Sequence, residues 1–112
     1  VAYRLEHQGK SWVLATDTEH PEEGVDERLG AFCRGADALV YDAMYTPEEY
    51  LEKIGWGHST WIQGTRLAEQ VGIKTLYLSH LNPDHSGAKL DDMLGLAREA
   101  FLHTEIACEE SF

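Results

Sequence analysis

The sequence predicts a layered α/β fold. The main observation is that short runs rich in β-branched and aromatic residues alternate with longer segments whose apolar residues recur at helical spacing. The clearest runs are residues 12–16, 38–41 and 74–79. The second observation is a hairpin signal at the start of the chain. Strands and helices that alternate after a hairpin are typical of an α/β layered fold.

The first predicted elements are the two strands of the hairpin, at residues 2–6 and 11–16. The turn between them, residues 7–10, contains Gly9, which permits a tight reversal. The stretch 18–30 is polar and reads as a solvated loop that leads into a short helix around 25–34. Gly35 is the expected stop of that helix.

After the strand at 38–42, residues 46–49 (Thr-Pro-Glu-Glu) predict a helix start. Thr46 would be the N-cap, Pro47 the first helical residue and Glu49 the partner of a capping box. Residues 55–57 (Gly-Trp-Gly) should stop this short helix. Thr60, with Gln63 three residues later, predicts a second helix to about Val71, before Gly72. A last helix is expected at 88–102, and its apolar face would be formed by Leu90, Leu94, Ala97 and Phe101.

Length and charge limit the classes of function. The chain has 112 residues and a net charge of −11, and 43% of its residues are hydrophobic. This size fits one domain or part of one. The negative charge repels phosphate backbones, so a binding groove for long nucleic acid within this chain is not expected. No apolar run approaches the ~20 residues of a membrane span, and no signal-peptide pattern is present, so a cytoplasmic location is the default expectation.

Two further features concern processing and redox state. Val1 is not a natural initiator, so either a leader has been removed or the chain is a piece of a longer protein. Cys33 and Cys108 are not arranged as Cys-x-x-Cys, and we expect ordinary buried thiols, with a disulfide between them as the alternative.

Residues that can bind a metal or transfer a proton follow the three central runs. Asp17, Asp42 and His80 each stand at the end of one run. Open α/β sheets bind ligands at the carboxyl ends of their strands, so these side chains could converge. Imidazole and carboxylate suit zinc, manganese or iron. The alternative is structural: Asp17 caps a turn, and His80 is a half-buried hydrogen-bonding residue.

Residues 55–60 (Gly-Trp-Gly-His-Ser-Thr) form a second candidate site. The glycines allow a ligand to approach the backbone, and the helix that begins near Thr60 directs its free N–H groups toward an anion. His58 could donate a proton to a leaving oxygen or bind a phosphoryl group. Alternatively, the segment is a tight turn in which His58 packs against Trp56 or Trp61.

Asp42 and Tyr45 each have two interpretations. A carboxylate behind a ligating imidazole fixes its tautomer, so Asp42 could orient a metal-binding histidine, but it could equally cap a turn. Tyr45 could direct its hydroxyl into the same cleft or belong to the core. His7, His20 and His103 lie at turn or surface positions, and we assign them no role.

Four stretches together, residues 13–18, 39–46, 57–60 and 76–80, resemble the C-terminal half of the metallo-β-lactamase fold hydrolases. The likeness is to the phosphodiesterase-like branch, which includes cyclic-phosphate phosphodiesterases and tRNA 3′-end processing enzymes. The resemblance implies half of an αββα sandwich, with a mixed sheet and helices on one face. It also implies that the whole chain, 1–112, forms this half-domain.

The resemblance also implies a binuclear metal site and a small phosphate-containing substrate. Asp17 would bridge two divalent ions, most naturally zinc, with manganese or iron as alternatives, and His80 would be the last histidine ligand. His58 would lie near the scissile phosphate. The side chains expected behind the ligands or at the substrate are Asp42, Tyr45, Ser59 and Thr60.

One family motif is absent. The His-x-His-x-Asp-His motif, which supplies most of the metal ligands, has no counterpart among the six histidines. We therefore expect an N-terminal half of the same fold, in the same or a separate chain, to complete the site, and we expect this chain alone to be inactive. An exposed sheet face would also favour self-association. The alternative function is a non-catalytic binding or scaffolding module.

Overall fold

The fold is known from a computed structural model, which describes residues 2–15, 27–55, 58–79 and 87–107. Its strands are β1 (Tyr3–His7), β2 (Lys10–Ala15), β3 (Ala38–Asp42), β4 (Thr75–Ser79) and β5 (Thr104–Ile106). Its helices are α1 (Glu27–Cys33), α2 (Pro47–Tyr50), α3 (Trp61–Val71) and α4 (Gly87–Ala100).

The strands form one mixed sheet in the order β1-β2-β3-β4-β5. β1 is antiparallel to β2, and the other neighbours are parallel. Each parallel pair is therefore joined by a crossover, and such crossovers are almost always right-handed. Because the strands follow one another in a single direction across the sheet, right-handed crossovers leave their helices on the same face. The predicted mixed sheet with helices on one face is confirmed.

The hairpin reverses direction through two residues in the left-handed region. Gln8 has a φ of 51° and Gly9 a φ of 78°. Positive φ at both central positions is the geometry of a type I′ turn, whose twist matches that of the flanking strands. The predicted hairpin is therefore present, and its last expected residue, Thr16, lies outside the described residues.

The core lies between the sheet and the helices. Alternate residues of the central strands point into it, with Val13, Leu39 and Leu76 in one register row and Ala15, Tyr41 and Leu78 in the next. Helices α1, α3 and α4 cover them with buried side chains of their own: Leu29, Cys33, Leu67, Ala68, Val71, Met93 and Ala97. Cys33 is thus the expected buried thiol, and Cys108 lies outside the described residues.

The opposite face of the sheet carries no helix among the described residues. We call it the open face, and it comprises Tyr3, Leu5, Trp12, Leu14, Val40 and Tyr77. Tyr3 is 63% exposed and Leu5 57%. The rings of Trp12 and Tyr77 stack with centroids 6.4 Å apart. An apolar face of this kind is unusual for a surface left in water.

The helix starts follow the sequence closely. Thr46 and Glu49 form the complete capping box of α2, with both reciprocal hydrogen bonds present. Thr60 caps α3 through Gln63 N, and Gly72 ends α3 in the left-handed region at φ 76°. The Gln63 side chain does not complete a box, because its Oε1 has no hydrogen-bond partner among the described residues.

The observed helix ends differ more from the predicted ones than the helix starts do. α2 stops at Tyr50, before Gly55, because the next N–H groups, those of Glu52 and Lys53, bond to carbonyls three residues back. That pattern tightens the chain into turns instead of continuing an α-helix. At α1, residues 25 and 26 of the expected helix lie outside the described residues.

The last helix packs through a slightly different face from the one predicted. Met93 and Ala97 are its buried residues, with Leu90 and Phe101 partly buried against the core. Leu94 is not in the core cluster, and Met93, which fits helical spacing equally well, packs there with Ala97 instead. β5, which follows α4, was not predicted from the sequence: it is only three residues long and contains Glu105.

The amino ends of the strands are tied together by Asp37. Its Oδ2 accepts a hydrogen bond of 2.8 Å from Ser11 N, and its Oδ1 lies 2.9 Å from Lys74 Nζ. The bond from Ser11 N, assisted by Lys74, holds the pKa of Asp37 below its ordinary value. One carboxylate therefore connects the starts of β2, β3 and β4. In the part of the chain that the structure describes, no helix is long and apolar enough to cross a membrane.

Candidate active site

The carboxyl ends of β2, β3 and β4 lie along one edge of the sheet. Ala15 pairs with Tyr41, and Asp42 with Ser79, so the three strands end within a residue or two of one another. Asp17 and His80, the predicted metal ligands, follow β2 and β4 but lie outside the described residues. Their roles therefore remain predictions. Asp42, at the end of the strand between them, is described in full.

Asp42 is a completely buried carboxylate with donors on both oxygens. Its exposed fraction is 0%. Oδ1 accepts hydrogen bonds from Met44 N at 3.1 Å and from Ser59 N at 3.2 Å. Oδ2 lies 2.8 Å from His58 Nδ1. A buried carboxylate requires such partners, because losing water without them is costly. Asp42 therefore caps the turn at Met44, as one interpretation expected, and its other oxygen contacts a histidine. Its predicted place behind a metal-binding histidine stays a prediction.

The histidine held by Asp42 is His58. Since a carboxylate accepts hydrogen bonds, the neutral imidazole donates from Nδ1, and this fixes the tautomer in which Nε2 carries the lone pair. The His58 side chain keeps 18% of its surface accessible. Its ring meets that of Tyr45 edge to face, with centroids 5.8 Å apart and planes at 82°. His58 is therefore a partly exposed imidazole that is held in place by Asp42 at Nδ1 and by the ring of Tyr45.

Tyr45 is buried, with an exposed fraction of 4%, but it lies outside the main core cluster. Its backbone forms an isolated parallel bridge with Thr60, and its N–H donates to Ser59 O at 3.2 Å. Tyr45 thus supports the site with its backbone and contacts the imidazole of His58 with its ring.

Residues 58–60, which we call the His58 segment, are fixed at several atoms. The Ser59 N–H is bound by Asp42, and its Oγ lies 3.1 Å from the hydroxyl of Tyr41. Thr60 is the N-cap of α3, so the segment leads directly into the positive end of that helix. The segment leads into the helix as the turn interpretation expected, but the ring that His58 contacts is that of Tyr45. The anion site stays a prediction. Trp56 and Gly57 lie outside the described residues.

Sequence reasoning missed Tyr41 as a residue of this site. The sequence marks it only as part of a buried strand, yet its hydroxyl bonds to Ser59. One sequence signal was available: Gly64 stands inside α3, where glycine is unfavourable and calls for a packing reason.

Among the described residues, no group of three or more His, Cys, Asp or Glu side chains could hold a metal ion.

Comparison with known proteins identifies the family. The model of the family described as the beta-lactamase superfamily domain matches residues 1–81. The chain belongs to the beta-lactamase superfamily. This confirms the resemblance to the metallo-β-lactamase fold hydrolases that the four sequence stretches indicated, whereas the phosphodiesterase-like branch and the half-domain stay predictions.

Several bacterial ribonuclease Z proteins are similar to this superfamily member. Ribonuclease Z of Brevibacillus brevis is 33% identical, over 88% of the chain and 31% of the relative. That of Bacillus anthracis is 35% identical, over 91% of the chain and 32% of the relative. The chain thus spans about a third of the length of these relatives.

Solved structures share the fold. The metallo-β-lactamase fold protein YhfI from Bacillus subtilis matches 95% of the chain and 39% of its own, with a TM-score of 0.74 and 20% identity. A diphosphatase from the PhnP family matches 96% of the chain and 39% of its own, with a TM-score of 0.58 and 18% identity. The superfamily member therefore has a metallo-β-lactamase type fold.

Proposed function

We propose that this chain supplies part of the active site of a metal-dependent phosphodiesterase, in which His58 transfers a proton at the scissile phosphate. The observation that carries the proposal is the 2.8 Å contact between His58 Nδ1 and the buried carboxylate of Asp42, at the carboxyl edge of the sheet. The similarity to ribonuclease Z proteins supports chemistry on a phosphodiester bond.

In this proposal Asp17 and His80 hold the metal ions. They follow β2 and β4, which end beside β3 at the same edge. Asp42 fits an orienting role better than that of a ligand, because both of its oxygens already accept hydrogen bonds within the protein. Two divalent ions, zinc first and manganese or iron as alternatives, would supply a hydroxide nucleophile and neutralise developing charge.

The chain's own residues would act on the leaving group. Protonated His58 gives the Nε2 proton to the leaving oxygen as its bond to phosphorus breaks, and the imidazole becomes neutral. Asp42 stabilises the imidazolium beforehand and keeps the ring in one orientation. Such acid catalysis contributes roughly 10²- to 10⁴-fold to a rate. The Ser59 and Thr60 side chains are occupied within the protein, so we propose that they position the site through the backbone of the His58 segment.

We also propose that the rest of the domain, an N-terminal half in the same or a separate chain, packs on the open face. The open face is apolar, and the chain spans about a third of its relatives. The substrate proposed for the completed site is a small phosphate ester, since the net charge of −11 opposes long nucleic acid. We place the complete enzyme in the cytoplasm, a location that cell fractionation can test.

The activity is tested on the longest natural form of the protein. We expect bound divalent metal by elemental analysis, and hydrolysis of a dinucleotide phosphodiester, whose alkoxide leaving group needs a proton. His58→Gln should lower kcat about 10²- to 10⁴-fold and leave the metal content intact, whereas Asp17→Ala and His80→Ala should remove metal. His103→Gln is the matched control for loss of an imidazole. A protein that holds no metal and hydrolyses no phosphate ester would favour the non-catalytic binding module instead.

The packing proposal has its own test. Leu5→Lys places a charge on the open face, while Leu102→Lys makes the same change at a leucine that is 72% exposed after α4. We expect Leu5→Lys alone to lower the melting temperature of the longest natural form. Equal effects of the two substitutions would contradict packing at the open face. Light scattering identifies the remaining candidate, a second copy of the chain on that face.

A further inference from the structure

Two consecutive residues of β3 hold two consecutive residues of the His58 segment. Asp42 contacts His58, and Tyr41, one residue earlier, has its hydroxyl 3.1 Å from Ser59 Oγ. Neighbouring residues of a strand point to opposite faces. The segment is therefore held on both sides of the sheet edge. Tyr41 and Ser59 are both buried, with exposed fractions of 2% and 0%.

Tyr41 is also fixed by the helix that follows the segment. A Cβ placed on Gly64 of α3 would lie 2.9 Å from Tyr41 Cδ2, which is closer than real Cβ contacts. The helix thus rests directly on the tyrosine ring, and only glycine permits this approach. Because Thr60 caps α3, the position of the ring sets the position of the helix start and of the segment before it.

We propose that Tyr41 is a positioning residue for His58 and acts through Ser59. Its hydroxyl holds Ser59 Oγ, which keeps the Ser59 N–H on Asp42 Oδ1 and leaves Oδ2 aligned with the imidazole. Gly64 allows the ring to occupy its place. The inference rests on the proposed function only in its catalytic consequence, because the positioning itself is measurable without turnover.

A purely structural role would look different. A buried tyrosine usually finds a partner for its hydroxyl, and its loss then weakens the whole fold. If Tyr41 positions the site, its loss should instead be felt locally, at the Ser59 amide and the His58 ring. The comparison therefore needs a control that removes another buried hydroxyl from the same region.

The experiment compares Tyr41→Phe with Thr65→Val in the longest natural form of the protein. Thr65 is 2% exposed, and its hydroxyl donates to Ile62 O within α3, one residue from Gly64. NMR follows hydrogen exchange of the Ser59 amide and the ¹⁵N shifts of the His58 ring. We expect Tyr41→Phe to speed Ser59 exchange about tenfold, the factor of one hydrogen bond, and to mix the two imidazole tautomers.

The control decides the outcome. Thr65→Val should change neither signal, even if it lowers the global stability as much as Tyr41→Phe does. If Tyr41→Phe affects Ser59 exchange and the His58 tautomer no more than Thr65→Val does, the positioning role is wrong.

A second comparison separates the ring from the hydroxyl. Gly64→Ala should displace α3 and expose the Ser59 amide to exchange. Adding Tyr41→Leu makes room for the new methyl group and should restore stability without restoring protection of that amide. Restored protection in the double variant would overturn the role of the hydroxyl. If the NMR changes occur as expected but phosphate ester hydrolysis in Tyr41→Phe keeps its kcat, the proposed function of His58 fails and the positioning stands.

Discussion

Replacing Asp42 with asparagine tests which nitrogen of His58 carries the proton. Oδ1 of Asp42 receives both backbone N–H groups, and Oδ2 alone faces His58. Asparagine can keep its oxygen at the Oδ1 position and place its NH₂ group where Oδ2 was. An amide NH₂ only donates hydrogen bonds. His58 Nδ1 must then become an acceptor, and the proton moves to Nε2.

The cost to stability should be small and the cost to activity large. The two backbone bonds persist, and a charge-assisted bond worth about 1.5–3 kcal/mol becomes a neutral one worth about 0.5–1.5 kcal/mol. The free energy of unfolding should therefore fall by about 1 kcal/mol. Because the amide cannot stabilise an imidazolium, we expect kcat to fall roughly 10²- to 10⁴-fold, the range of acid–base catalysis.

Three measurements on the longest natural form check this reasoning: denaturant unfolding, the ¹⁵N shifts of the His58 ring, and hydrolysis of a dinucleotide phosphodiester. Asp42→Ala is the contrast, since it leaves the N–H groups of Met44 and Ser59 without acceptors, at about 1–3 kcal/mol each. An asparagine variant that keeps the wild-type tautomer would refute the geometric argument. One that changes tautomer and keeps full activity would refute the role of His58 as the proton donor.

Two further predictions concern the fold. Asp37→Asn should destabilise the protein near neutral pH, and the difference in stability from wild type should shrink on acidification. The hydrogen bond from Ser11 N and the contact with Lys74 lower the pKa of Asp37 in the folded state. The resulting stability is present above the ordinary carboxyl pKa and is lost as the pH falls through the folded-state pKa. Denaturant midpoints measured across this pH range check it, and a constant difference would contradict it. Thr46→Ala should cost about 1 kcal/mol by opening the capping box of α2, whereas Thr46→Ser should not, and equal losses in urea unfolding would contradict the cap.

The fold was largely readable because its signals are local. The Gly9 turn, the capping box at Thr46 and the left-handed stop at Gly72 each depend on a few neighbouring residues, and all three are present. The elements that the sequence did not predict correctly depend on contacts in the tertiary structure. β5 is a three-residue strand defined by its pairing with β4, and nothing in its own sequence marks it. The face of α4 was misplaced because Met93 and Leu94 both fit helical spacing, and only packing decides between them.

The sequence predicted the residues of the candidate site individually but not the contact between them. Asp42 and His58 were each singled out, yet their contact spans sixteen positions and depends on the loop returning to the strand end. One physical rule could have joined them. All five residues of β3 are buried, and Asp42 is the one that carries charge. A buried carboxylate requires donors. The His58 segment, leading into the start of the next helix, offers an imidazole N–H and a backbone N–H together. The need to satisfy a carboxylate at the end of a buried strand, more than any spacing motif, therefore predicts which histidine belongs to the site.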